Sequence, residues 1–136
     1  MRLTPWEEER LQIFSAAELA RRHRSVGLRL NQPEAVALIC DAMLEAARAG
    51  ATYPEVEAAG RAAVRPDELM DGVRALVDEV RLEVLLGDGT RLVVLVDPLG
   101  PDDPLAAPAG TPRTGSASPT DPGPGAGPAS TGGGRA

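Results

Sequence analysis

Few residues of this 136-residue chain are of types that do chemistry, and they are poorly spaced for it. His23 is the only histidine and Cys40 the only cysteine, too few donors to build a zinc or nickel site by themselves. His23 sits in the run Arg21-Arg22-His23-Arg24, where a solvated ring is expected. Glu7, Glu8 and Glu9 open a helix, where carboxylates complement the positive end of the dipole without any catalytic duty. Glu34, Asp41 and Glu45 share one strip of a second helix, a spacing that more often means a solvated or salt-bridged face than an acid–base pair. Ser15 has no base near it in sequence. Gly87-Asp88-Gly89 lies between two strands rather than between a strand and a helix, so it does not match a phosphate loop. The residues give no catalytic, cofactor-binding or metal-binding assignment.

The arginine cluster admits two readings. Arg21, Arg22 and Arg24, with Arg29 close by, could touch phosphates as in a small DNA-binding module. Cations at a helix C-terminus also complement its dipole, and Arg21 and Arg22 can pair with Glu18. The net charge of −6 and the lack of a second basic patch favour the latter and argue against nucleic acid and anionic membrane as partners. All 14 cationic residues are Arg, whose planar fork suits protein–protein contacts.

The elements that position these groups follow from start and stop signals. Asn31 and Glu34 form a capping box with Pro33 in the first turn, and Gly50 ends the helix. Glu34, Asp41, Glu45 and Arg48 occupy one narrow strip, while Val36, Ile39, Cys40, Met43, Leu44 and Ala47 cover most of the rest. So little polar surface makes this the central helix, with Cys40 a small core hydrophobe rather than a reactive thiol. Thr4-Pro5-Trp6-Glu7 starts an earlier helix that runs to about Arg24 or Val26 before Gly27. Trp6, Ile13, Ala17 and Ala20 share one side of it, and Leu11 and Phe14 lie on another. Either the helix sits in a crevice of its own fold, or one stripe meets the core and the other a partner. The partner-interface candidates are Trp6, Leu11, Phe14, Arg21, Arg22 and Arg24.

Thr52-Tyr53-Pro54-Glu55 repeats the cap logic and starts a third helix to about Val64, with Val56, Ala59 and Ala63 inward. Pro66-Asp67-Glu68 opens a fourth, with Leu69, Met70, Val73, Leu76 and Val77 as its apolar face. The period then changes to two. Val80, Leu82, Val84 and Leu86 alternate with Arg81 and Glu83, and Gly87 to Thr90 turns the chain into a second strand over Arg91–Val96. The order predicts an α+β fold, a four-helix bundle-like domain followed by a C-terminal antiparallel β-hairpin. The domain is expected over residues 1–100. Residues 101–136, rich in Pro, Gly, Ala, Ser and Thr, are expected to form a disordered tail, since they offer too little apolar surface to offset ordering entropy. The N-terminus lacks the apolar run of a signal peptide, and nothing approaches the length of a membrane span, so the cytoplasm is the expected compartment.

Taken in order, the residues resemble the gamma subunit of bacterial urease from about Met1 to Leu99. The resemblance rests on Leu3-Thr4-Pro5, on Gly27-Leu28-Arg29-Leu30-Asn31-x-Pro33-Glu34 running into Ala35-Val36-Ala37-Leu38-Ile39, and on Glu45-x-Ala47-Arg48-x-Gly50. Gly60-Arg61, Met70-x-Gly72-Val73 and Asp88-Gly89-Thr90-x-Leu92-Val93 continue it. The resemblance implies a helical bundle with a C-terminal hairpin and a structural, non-catalytic role. It implies partners, the urease alpha and beta chains, in a trimer of heterotrimers that hydrolyses urea to ammonia and carbamate. Two nickel ions are expected in the alpha chain and none in this one. Some relatives continue from gamma into beta in one chain; here the Gly/Pro-rich segment follows, and no beta portion is expected.

This chain departs from the family's usual Gly at Ala46, Asp at Ala49, hydrophobic residue at Glu57 and Thr cap at Arg65. It also lacks the usual Pro at Arg74 and Asp78 and has Val96-Asp97 in place of His-Asn. Loss of those prolines predicts a longer fourth helix. A second reading is a gamma-like paralogue that serves as a scaffold outside an active urease.

Overall fold

A computed structural model describes residues 1–100; the expected disordered segment 101–136 lies outside the described residues. Helix α1 spans Pro5–Ser25, α2 Gln32–Arg48 and α3 Tyr53–Ala62. A single 3-10 turn at Pro66–Glu68 and a one-turn α4 at Val73–Leu76 lead into β1, Glu79–Leu86, and β2, Gly89–Val96. The expected α+β order of helices followed by an antiparallel hairpin is what forms.

The three long helices begin where their caps place them. Thr4 Oγ1 accepts from Glu7 N at 3.3 Å, while Glu7 Oε2 accepts from Thr4 N at 2.7 Å. Asn31 and Glu34 make the same reciprocal pair at 3.0 Å in both directions. In α3, Thr52 N donates to Glu55 Oε2 at 2.7 Å. Bonds to the Thr4 backbone and then to its hydroxyl hold the Glu7 carboxyl below its ordinary range, and Thr52 does the same for Glu55. Gly27 and Gly50 end α1 and α2 at φ +82° and +88°, the left-handed conformation that glycine adopts without penalty.

Helix α2 is central, as its composition requires. It packs against α1 on one side, α3 on the other and β1 above, while α3 supports β2. Leu30, Ile39, Met43, Val56, Val84, Val93 and Leu95 are fully buried between these layers. Gly60 lets α3 approach closely. A Cβ there would stand 2.7 Å from Leu95 Cδ1 and 2.8 Å from Met43 Cγ. The hairpin register runs unbroken from Glu79↔Val96 to Leu86↔Gly89, so the connection is the two residues Gly87-Asp88.

The fourth helix is where expectation and structure part. The segment does not continue from Pro66 as one helix and is not lengthened by the absent prolines. Leu30 N donates to Glu68 O at 2.8 Å and Met70 N to Leu30 O at 2.9 Å, an isolated parallel bridge that holds Leu69 extended. Gly72 then takes φ +82°, which a helix cannot contain. Met70 and Leu76 consequently face solvent, while Leu69, Val73 and Val77 stay buried. Asp97 takes φ 45°, a left-handed angle that Asn and Asp tolerate best among non-glycine residues.

The Gly60 contact gives a direct test. Gly60→Ala should destabilise the fold by about 1–3 kcal/mol through overpacking. A urea denaturation midpoint equal to that of the parent would mean that Met43 and Leu95 can retreat.

Candidate functional site: a clamped helix and its exposed face

Two carboxylates on the buried side of α2 organise the α1–α2 interface. Asp41 is 1% exposed, and its two oxygens are divided between two guanidinium groups of α1. Arg10 Nη1 donates to Oδ1 at 2.8 Å, and Arg21 Nη2 donates to Oδ2. Each arginine has a second acid at the rim, Glu45 for Arg10 and Glu18 for Arg21. Hydrogen bonding to Asp41, partly offset by desolvation, pushes the Arg21 pKa above its ordinary value. A buried charge of this kind is tolerable only when its lone pairs are satisfied by partners of opposite sign. One α-helical strip carries the whole arrangement.

Glu34 lies two turns earlier on the same strip. Its Oε2 serves the α2 capping box, and its Oε1 meets His23 Nδ1 near the end of α1. His23 is thus only partly solvated, its side chain 35% exposed and paired with Glu34. The antiparallel packing of α1 on α2 brings the histidine over the first turn of α2, where a carboxylate is already fixed. The strip Glu34, Asp41, Glu45 is salt-bridged, with Glu34 and Asp41 buried rather than on a free face.

Arg10 was not among the residues that the sequence pattern singled out, although a signal exists. Arg10 and Arg21 are eleven residues apart, close to three helical turns, and share the side that carries Ile13, Ala17 and Ala20. Two cations on the apolar side of a helix call for a buried anion opposite, and Asp41 is that anion.

The interface candidates separate by position. Leu11 and Phe14 are exposed, as expected of the second stripe, and Trp6 is 43% exposed despite sharing a side with buried Ala17 and Ala20. Trp6 stands at the start of α1, beyond the end of the α2 contact. With Leu3, Leu11, Leu44 and Leu86 it borders an open groove of about 1020 Å³ between α1, the end of α2 and the tip of β1. Arg22 is exposed, whereas Arg21 and Arg24 are engaged within the chain. Arg24 Nη1 donates to Ala63 O at 3.3 Å and lies 3.7 Å from Glu68. Leu19, Val26 and Leu28 extend the exposed apolar surface along α1 and beyond its end.

Cys40 is buried, and desolvation with the nearby Asp41 charge raises its thiol pKa from 9.0 to about 11. Among the described residues, no group of three or more His, Cys, Asp and Glu side chains is placed to hold a metal ion. Among the same residues, no helix is long and apolar enough to cross a membrane.

Residues 1–99 match the family model described as urease, gamma subunit. The chain belongs to the urease gamma subunit family. It is similar to the protein named urease subunit gamma/beta of Streptomyces avermitilis, at 54% identity over 100 residues. The protein of the same name from Streptomyces coelicolor is 51% identical over 100 residues. In both cases the match takes in 74% of this chain and 44% of the relative, so the chain spans less than half the length of the relatives it matches.

Two measurements follow from the clamp. Asp41→Asn keeps the shape but removes the charge between Arg10 and Arg21, and should cost about 2–4 kcal/mol in chemical denaturation. A loss below the scatter of the measurement would mean that the two arginines are satisfied by Glu18, Glu45 and water alone. For Cys40 the sign is fixed by the raised pKa: the folded state holds its proton more tightly than the unfolded chain. The thiol's contribution is intact below pH 9.0 and falls away as pH rises toward about 11. The slope should approach 1.4 kcal/mol per pH unit across that window, as an order-of-magnitude figure of ~1.4. Cys40→Ala should show a shallower alkaline decline, and an identical decline would assign it to other groups.

Proposed function

We propose that this chain is a structural, non-catalytic gamma subunit of a nickel-dependent urease that hydrolyses urea to ammonia and carbamate. Membership of the gamma family over residues 1–99 is the observation that carries this reading. The chemistry of the available donors supports it. The one histidine is held by Glu34, and the one cysteine is buried with a raised pKa. The two nickel ions then belong to an alpha chain, and this chain contributes surface rather than ligands.

Its partners in this reading are urease alpha and beta chains, arranged as a trimer of heterotrimers in the cytoplasm. The interface draws on Trp6, Leu11 and Phe14 as apolar anchors and on Arg22 as a free cation, because exposed aromatic and aliphatic side chains clustered on one helix are characteristic of surfaces that meet another protein. Arg21 and Arg24 act there through the helix they hold in place. We draw the boundary of the gamma domain at residue 100. The same engagement of Arg21 and Arg24 with carboxylates weakens the DNA-binding alternative, since charges neutralised within the chain are less available to phosphates.

Co-expression with urease beta and alpha chains, followed by size-exclusion chromatography and a urea hydrolysis assay with nickel, tests the proposal. Co-elution in a large, active particle is expected, and the double variant Leu11→Asp/Phe14→Asp should remain folded yet lose co-elution. Elution of the parent chain alone, beside an unchanged alpha–beta pool, would leave the family membership and remove the function. Urea turnover by the purified chain with nickel would sink the non-catalytic assignment.

A further inference from the structure

Among the described residues the sheet has two strands, so β1 has an open edge on the side away from β2. Its backbone groups divide by parity. The two-residue connection makes Leu86 and Gly89 a hydrogen-bonded pair, so the even-numbered residues of β1 bond to β2. The bond from Asp97 N to Asp78 O at 2.7 Å keeps that parity one step beyond the strands. The N–H and C=O groups of Glu79, Arg81, Glu83 and Leu85 therefore point away from β2. All four residues are exposed, and among the described residues no group bonds to these backbone atoms.

The opposite edge is treated differently. From α3, Tyr53 Oη donates to Leu92 O at 3.4 Å and Arg61 Nη1 to Val96 O at 3.1 Å, so two of the four outward carbonyls of β2 have partners. Native edges are usually blunted by proline, a bulge, an inward-pointing charge or charged side chains. Of these β1 has only the charged side chains Glu79, Arg81 and Glu83, which lie on its outer face and leave the backbone groups unpaired. Its register is continuous over eight residues, and its inward side chains are Val80, Leu82, Val84 and Leu86. Beside the Leu85–Leu86 end of this edge lies the groove whose far wall is the start of α1.

We infer that the β1 edge takes up an extended segment of a partner chain as a third strand, seated between β1 and α1. The inference rests on the reading of the chain as an assembling subunit for the identity of that partner. The segment is specified by what it meets. Alternate side chains face the helical layer and must be apolar, and those between them lie beside Glu79, Arg81 and Glu83 on the outer face. A cation across from Glu83 and an anion across from Arg81 complete the pairing.

The two other occupants fit poorly. A second copy would bring its own α2 beneath its β1, into the layer where α1 already stands, because strands are spaced about 4.8 Å apart and helices about 10 Å. The chain's own residues from 101 onward have prolines at 101, 104, 108, 112, 119, 122, 124 and 128. Each lacks the N–H that a paired strand needs, and the longer proline-free stretches 113–118 and 129–136 have no large apolar side chain.

The test compares amide exchange, residue by residue, in the full chain alone and in its complex with urease beta and alpha chains. Exchange at Arg81, Glu83 and Leu85 should slow about 100-fold or more on assembly, while Val80, Leu82 and Val84, already in the ladder, change little. Glu83→Pro removes one outward N–H and leaves every β1–β2 bond, so it should weaken assembly about tenfold or more. If circular dichroism shows that this variant does not fold, Glu83→Arg, which keeps the N–H and reverses the charge, carries the affinity measurement with the same expected direction. A complex in which these three amides exchange as in the free chain overturns the third strand and leaves the subunit reading intact. Full-strength assembly by the folded Glu83→Pro variant, or by Glu83→Arg, does the same. Failure of the parent chain to form any complex overturns both.

Discussion

The fold depends on the buried negative charge of Asp41. Asp41 sits on the most enclosed helix of the molecule, where an unpaired carboxylate would be too costly to keep. Two arginines of α1, three turns apart, remove that cost by reaching one oxygen each. The pairing fixes the position of α1 along α2 and its rotation about its own axis. It does so with polar contacts because α1 has little else to offer on that side: its fully buried residues are Ala17 and Ala20. Small residues let the helices approach, and the ion pairs decide where they stop. Breaking such a pair costs more than forming it gains, so its contribution is to specify one arrangement rather than to add stability.

The exposed face follows from that constraint. With its arginines committed inward, α1 must present Leu11, Phe14 and Leu19 outward, and its first turn leaves Trp6 at the rim of a groove. The second anchor, His23 on Glu34, holds the far end of the helix in the same register. A subunit whose role is to offer surface needs that surface held rigid before the partner arrives, since ordering it on contact would consume binding free energy. The hairpin is managed with similar asymmetry. One edge is partly covered by α3 and, among the described residues, the other is open.

Much of the framework was legible because its causes are local. Caps at Thr4, Asn31 and Thr52, left-handed glycines at 27 and 50, and the change of period near Val80 all act within a few residues. The fourth helix was misread because its competitor was not local. A favourable helical pattern from Pro66 lost to hydrogen bonds between Leu30 and the segment around Leu69, nearly forty residues away in sequence. The partner of His23 was missed for a related reason. Its neighbours in sequence are arginines that suggest solvent, but its neighbour in space is a carboxylate on another helix.

Sequence alone therefore determined the three long helices, the hairpin, the central position of α2 and the family. These rest on composition, periodicity and motif order, which no packing can change. The tertiary structure alone decided which charges are buried, which apolar residues remain outside, and which sheet edge stays open. Each of those is a relation between residues distant in the chain. A carboxylate on one strip of a helix reads the same whether it faces water or an arginine, and only the docking of α1 settles which.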